Sequence, residues 1–263
     1  MEGERAMTVP PLHHTKVKLG RKAVKTDSRT LQLSNYTAAL PTAPVAVDWT
    51  KGITNWGMML NDTLGDCTIA GVAHAVQVWS ANTSGEATVP DAIVEKYYEK
   101  WDGYKPSDPS TADIGGNELN VLTLWQKGGF DKHKLLAFAD PAVQNLEAIR
   151  QAINLFGGVY IGVNLPASAQ AQIEGGQPWD VVTPASAATK PGSWGGHCVF
   201  VPSYDANGFT CITWGQLQKM TIAFWQEYVD EAHALLSHDW LEAKGSPAGF
   251  NLAQLKADLA AIG

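Results

Sequence analysis

Cys67 stands directly after Asp66, at the point where apolar residues begin to recur at intervals of three and four: Ile69, Val72, Ala73, Val76 and Trp79. The spacing predicts a helix over 66–80 with Asp66 as its N-cap. A thiol in that place feels the positive end of the helix dipole, which favours the nucleophilic thiolate. His197 lies 130 residues downstream, behind Ser193-Trp194-Gly195-Gly196 and at the mouth of the apolar run Cys198-Val199-Phe200-Val201. A cysteine opening a helix and a distant histidine on a strand is one arrangement for thiol catalysis. The imidazole holds the thiolate as an ion pair and then protonates the leaving group.

The elements that must position these two residues are legible in outline. Helical stretches are predicted over 90–101, over 117–126 ending at Gly128-Gly129, and over 145–156 closed by Gly157-Gly158. Residues 159–163, 198–201 and 209–213 read as buried strands, the last two joined by a turn at Asp205-Ala206-Asn207-Gly208. Residues 220–236 read as helical, and Asn251 caps a short amphipathic helix with Leu252, Leu255, Leu259 and Ile262 on one side. Helices dominate the first half and strands the second, the mark of an α+β protein with segregated layers. Residues 1–45 read as an extended arm laid on the surface, its basic run Lys16–Lys25 solvated. Three segments are expected: this arm, a domain over 46–240, and a C-terminal extension over 241–263.

The segment Leu64-Gly65-Asp66-Cys67-Thr68 resembles the nucleophile segment of papain-like cysteine peptidases, in particular bacterial members with Leu-Gly-x-Cys-Thr. Val47-Asp48-Trp49 is similar to that family's mature N-terminal region, and Trp194-Gly195-Gly196-His197 to its Gly-His motif. Ser203-Tyr204-Asp205 occupies the place of its Gly-Tyr-Asp turn, and Thr213-Trp214-Gly215 looks like the end of its Asn-Ser-Trp-Gly motif. Asp113-Ile114-Gly115-Gly116 resembles the loop lining the substrate cleft, and Phe156–Ile161 resembles the Gly-Pro-Val start of a strand. Order and spacing agree from about Ala46 to Trp240. The resemblance implies a papain-like fold of two lobes, with the Cys helix in one, the His sheet in the other and a cleft between. It implies Cys67 as nucleophile and His197 as its partner. Gly65, Gly115, Gly116, Trp194, Gly196 and Trp214 would line the substrate cleft.

Two positions depart from the family pattern. Asn61 stands where a Gln six residues before the Cys helps to stabilise the oxyanion; it keeps the amide donor but is one methylene shorter. Ile212 stands two residues before Trp214, where an Asn should orient the histidine. An isoleucine cannot bond an imidazole, and alternation is expected to turn Thr213 to the opposite face. Asp66 adds a negative charge beside Cys67, which opposes the dipole. The implied activity is thiol-dependent hydrolysis or acyl transfer on peptide or amide bonds through Cys67, His197 and Asn61. The alternative is a catalytically impaired scaffold that binds a peptide or protein partner in its cleft. The arm is too short for the family's full inhibitory pro-segment, so zymogen control is not expected, and the arm should wrap one lobe.

Composition narrows the rest. The 263 residues carry 19 Lys+Arg against 26 Asp+Glu, a net charge of −7, which makes a nucleic-acid or anionic-membrane partner a poor fit. No stretch approaches the roughly 20 apolar residues of a membrane span, and no signal sequence is read, so a cytoplasmic location is expected. Three widely spaced cysteines suit reduced thiols. No metal site or cofactor motif is read; His74, His13 and His14 are taken as structural or solvated, and Cys198 and Cys211 as buried free thiols that could approach across a hairpin.

Overall fold

The structure, a computed structural model, describes residues 17–262; His13, His14 and Lys16 lie outside the described residues. From residue 17 an arm leads to β1 (Leu31–Gln32) and β2 (Val47–Asp48). Then comes α1 (Cys67–Thr83), which is buried along nearly its whole length. It is followed by α2 (Asp91–Asp102), α3 (Pro109–Ala112) and α4 (Glu118–Gly128). Asn117 caps α4 by accepting from the Asn120 amide. Next are β3 (Leu135–Asp140), α5 (Leu146–Phe156), β4 (Val159–Leu165) and α6 (Ala167–Glu174). Asn145 starts α5, and Gly157 ends it in the left-handed region, φ 79°. Strands β5 (Gly195–Tyr204), β6 (Gly208–Thr213) and β7 (Gln216–Thr221) complete a meander. The last elements are α7 (Ile222–Tyr228), β8 (Val229–Ser237), α8 (His238–Lys244) and α9 (Leu252–Ile262).

Among the described residues the sheet has eight strands in the order β1-β3-β8-β4-β5-β6-β7, with β2 added to β5. Side chains leave each strand on alternate faces. Val159, Ile161, Val163, Val199, Val201 and Cys211 meet α5, α6 and α7 in one core. Tyr160, Cys198, Phe200 and Ile212 point the other way, into a core with α1, α2 and α4 that includes Trp79, Trp101 and Trp125. Gly71 lets α1 close onto the sheet, since a Cβ there would stand 2.8 Å from the Tyr160 ring.

Residues 220–236 are not one helix. They are the end of β7, the seven-residue α7, and β8, which sits between β3 and β4. Strand β8 is buried on both faces except at Asp230, so it shows no alternation of apolar and polar residues. Helix α9 starts after Asn251, whose side chain accepts from the Gln254 amide. Its Leu255 is buried, Leu252 and Leu259 pack against the core, and Ile262 is exposed. No helix among the described residues is long and apolar enough to cross a membrane.

Candidate active site

Cys67 is the first residue of α1 and fully buried. Backbone hydrogen bonds at Cys198 and at Gly20 act on its sulfur. Burial pushes the thiol up to about 12, and the neighbouring Asp66 pushes in the same direction. Asp66 precedes the helix but makes no side-chain cap. Its carboxylate is buried and held well above the usual range, first by burial. Its hydrogen-bond partner is Asn61, whose amide donates to Asp66 Oδ1 at 3.2 Å and to the Leu64 carbonyl at 3.1 Å. In this arrangement the Asn61 amide is spent on the turn before α1.

His197 lies at the start of β5 and is buried, which drives its pKa down to about 3. Nε2 is 2.7 Å from Thr213 Oγ1. The expectation that Thr213 turns away is overturned by register. Phe200 pairs with Ile212, so Ile212 shares the Phe200 face. Thr213 therefore shares the face of Val199 and His197. Alternation holds along β6, and its pairing with β5 decides which face Thr213 takes. Trp214 and Gly215 form the two-residue link between β6 and β7, both with positive φ (45° and 73°), as tight hairpins require. That conformation lays the Trp214 ring on His197, centroids 4.4 Å apart and planes 14° from parallel. Trp194 packs behind Trp214 at 5.4 Å. His197 Nδ1 has no hydrogen-bond partner among the described residues.

From Leu31 to Pro44 the arm lies on the sheet lobe, with Leu31, Leu33 and Tyr36 in its core and the Tyr204 hydroxyl donating to the Pro44 carbonyl; residues 18–22 instead enter the cleft. Residues 18–22 run between the helical wall and the sheet wall, and both walls bond its backbone. The Lys18 amide donates to the Asn61 carbonyl at 2.9 Å, and Trp214 Nε1 donates to the Lys18 carbonyl at 3.2 Å. The Gly116 amide donates to the Gly20 carbonyl at 2.8 Å, and the Lys22 amide to the Gly116 carbonyl at 2.8 Å. On the sheet side the Arg21 amide donates to the Gly196 carbonyl at 3.1 Å. Approach is backbone to backbone. A Cβ on Gly20 would overlap the Gly65 carbonyl, one on Gly115 would overlap Gly20, and one on Gly196 would overlap the Arg21 carbonyl. The helical wall is fixed from behind: Asp113 accepts from the Gly65 amide (2.8 Å) and from Tyr98 Oη (2.8 Å), and Tyr98 Oη accepts from the Gly115 amide (2.9 Å).

Arg21 is not solvated, contrary to its place in a basic run. Its side chain is 1% exposed and ion-paired three ways: Nε to Glu118 at 3.0 Å, Nη2 to Asp230 at 2.7 Å and to Glu231 at 2.9 Å. Burial alone would lower the guanidinium pKa; the three carboxylates outweigh it and hold it raised. Glu231 also accepts from or pairs with His233 Nε2 at 3.1 Å. Atoms of Glu118, Glu231 and His233 lie within 4.8 Å of one another, a spacing that could hold a metal ion; in this structure the guanidinium is there. Sequence reading leaves Arg21 in a solvated run and turns Thr213 away, and it singles out neither Glu118 nor Glu231. The acids sit in different elements, and only the fold joins them.

No protein-family profile matches the chain, and no curated protein sequence matches it. Solved structures do. Xylellain, a cysteine protease from Xylella fastidiosa, superposes with a TM-score of 0.63 at 14% identity, over 85% of this chain and 97% of that one. The ragweed pollen allergen Amb a 11, a cysteine protease in its proform, gives 0.55 at 13% identity over 76% and 67%. Digestive procathepsin L 3 of the Tenebrio molitor larval midgut gives 0.52 at 10% identity over 81% and 75%. The chain has a papain-like fold. At these identities the likeness is one of architecture, α+β in two lobes.

Within the papain-like fold the remaining candidates are structural. His74 is buried in α1 with Nε2 2.9 Å from the Trp56 carbonyl, and burial lowers its pKa to about 4. Cys198 and Cys211 are free and buried. They belong to the cores on opposite faces of the sheet, so they do not approach across the hairpin.

Proposed function

We propose that the chain is a thiol-dependent hydrolase or acyl transferase acting on peptide or amide bonds, with Cys67 as nucleophile and His197 as its acid–base partner. One observation carries the reading: a peptide segment, the chain's own arm, lies across Cys67 with its backbone bonded to both walls of the cleft. Gly65, Gly115, Gly116 and Gly196 provide the side-chain-free walls, and Trp214 a donor. Cys67 reaches the backbone of Cys198, the residue next to His197. Thr213 Oγ1 can accept a hydrogen bond from Nε2–H of His197, a tautomer that leaves Nδ1 bare to take the thiol proton. The Cys67 amide, at the open end of α1, is placed to receive an oxyanion.

The form described is closed. Burial under the arm keeps Cys67 a thiol and His197 a neutral imidazole. Withdrawal of the arm would return solvent to both and lower the thiol pKa toward the range that the helix dipole and an imidazolium favour. Asn61, tied to Asp66, favours the second reading, a cleft that binds peptides without turning them over. Hydrolysis of a quenched fluorescent peptide mixture by the Arg21→Ala chain separates the two. Release that disappears in the additional Cys67→Ala variant supports the hydrolase; peptide binding with no release in either supports the scaffold.

A further inference from the structure

We propose that the buried site holding Arg21 is a guanidinium-selective pocket of the cleft, and that the chain acts on peptides presenting an arginine side chain to it. This rests on the hydrolase reading for its second half only; the pocket stands or falls by itself.

Among residues 18–22 the slot buries one side chain. Lys18 and Lys22 are exposed, Gly20 has none, Leu19 is half-buried, and Arg21 is enclosed. The enclosure is built for a flat, forked cation. Gly162 lies in the interior of β4, beside the shift in register against β8 at Gly162/Val163, and does not take a positive φ. A Cβ at Gly162 would overlap Nε, Cζ and Nη2 of Arg21. The missing side chain is the room that the guanidinium fills, which is what an interior strand glycine provides where another group approaches closely. Gly162 pairs with Glu231 on β8 and with Cys198 on β5, so the pocket floor lies next to the strand that carries His197.

The carboxylates meet the fork from separate directions: Glu118 from α4 at Nε, Glu231 and Asp230 from β8 at Nη2. A lysine ammonium is a single point and cannot span them; the planar guanidinium can. Glu118 is fully buried and Glu231 nearly so, whereas Asp230 is 34% exposed and forms the rim. When the arm leaves, Glu118, held well above the usual carboxylate range by burial and by Glu231, can take a proton, while Glu231 keeps only His233 beside it; an arriving guanidinium restores the pairing that both lose.

The test uses the full chain carrying Arg21→Ala. Thermal unfolding is followed with N-acetyl-arginine amide, its lysine and norleucine counterparts, and Mg²⁺ or Zn²⁺. A saturable rise in midpoint with the arginine compound, and little with the others, is expected. Equal effects of lysine or norleucine, or stabilisation by the metal ions alone, would overturn the pocket. If Arg21→Ala is recovered unfolded, refolding in the presence of each compound reads the same selectivity: recovery with the arginine compound supports the pocket, and no recovery with it counts as refutation. Turnover of X-Gly aminocoumarin amides should favour X = Arg over Leu by about tenfold or more. Arginine-selective stabilisation without turnover would remove the hydrolase and keep the pocket; turnover with no arginine preference would do the reverse.

Discussion

Thr213 Oγ1 lies 2.7 Å from Nε2 of His197, and Trp214, the next residue, covers the same imidazole. One hairpin corner thus fixes both the in-plane direction and the face of the ring. Thr213→Val keeps the shape and removes the hydrogen bond. It should lower kcat by about 10- to 100-fold in a chain with the arm loosened, while Thr213→Ser retains most of the rate. Steady-state kinetics on the two variants checks this, with KM expected to change little.

The arm should act as a cover for Cys67. Gly20→Ala places a Cβ against the Gly65 carbonyl, and Arg21→Ala removes three ion pairs. Both should speed alkylation of Cys67 at neutral pH by about tenfold or more relative to the unaltered chain, as read by mass mapping. Lys22→Ala, at an exposed side chain that acts on Asp102 through charge alone, should leave the rate near the starting value.

Alkaline pH should destabilise the protein. Cys67, Cys198 and Cys211 are all buried with pKa values raised by that burial. A group with a raised folded pKa binds protons more tightly in the native state. Its contribution is complete below the unfolded pKa and is lost as pH rises through the folded one. For Cys67 that window runs from about 9 to about 12. The free energy of unfolding, read from urea denaturation, should therefore fall steadily above pH 9, by about 1.4 kcal/mol per pH unit for each thiol titrating. Cys211→Ala should flatten that slope; an unchanged slope would contradict it.

Gly71→Ala sets two effects against each other. Alanine gains up to about 1 kcal/mol over glycine inside a helix. Here its Cβ would stand 2.8 Å from the Tyr160 ring and 3.5 Å from Cys198 Sγ, between α1 and the sheet. Overpacking of this kind costs typically 1–3 kcal/mol, so a net loss of up to about 2 kcal/mol is expected in urea denaturation.

Local signals carried much of the fold. The period of α1, the Asn caps of α4 and α5, and the Gly pairs that close them are visible without coordinates because each acts within a few residues. Strand β8 is not visible: buried on nearly all sides and containing Ala, His and Glu, it looks helical until β3 and β4 flank it. The glycines of the cleft could be picked out, but the arm that lies on them could not, because its seat is made of backbone hydrogen bonds to segments about 40 to 195 residues away. Arg21 is the sharpest case. In sequence it belongs to a basic run; in the fold it is the counter-ion of acids on α4 and β8. Thr213 needed the Phe200–Ile212 register, which no single-strand pattern supplies.

The most direct test of the whole account is the rate of iodoacetamide modification of each cysteine in the Arg21→Ala chain, with and without His197→Ala. Selective reaction at Cys67, faster than a free model thiol near neutral pH and slowed strongly by loss of His197, is the predicted result. Reaction at Cys67 no faster than the model thiol, or indifferent to His197, would contradict it.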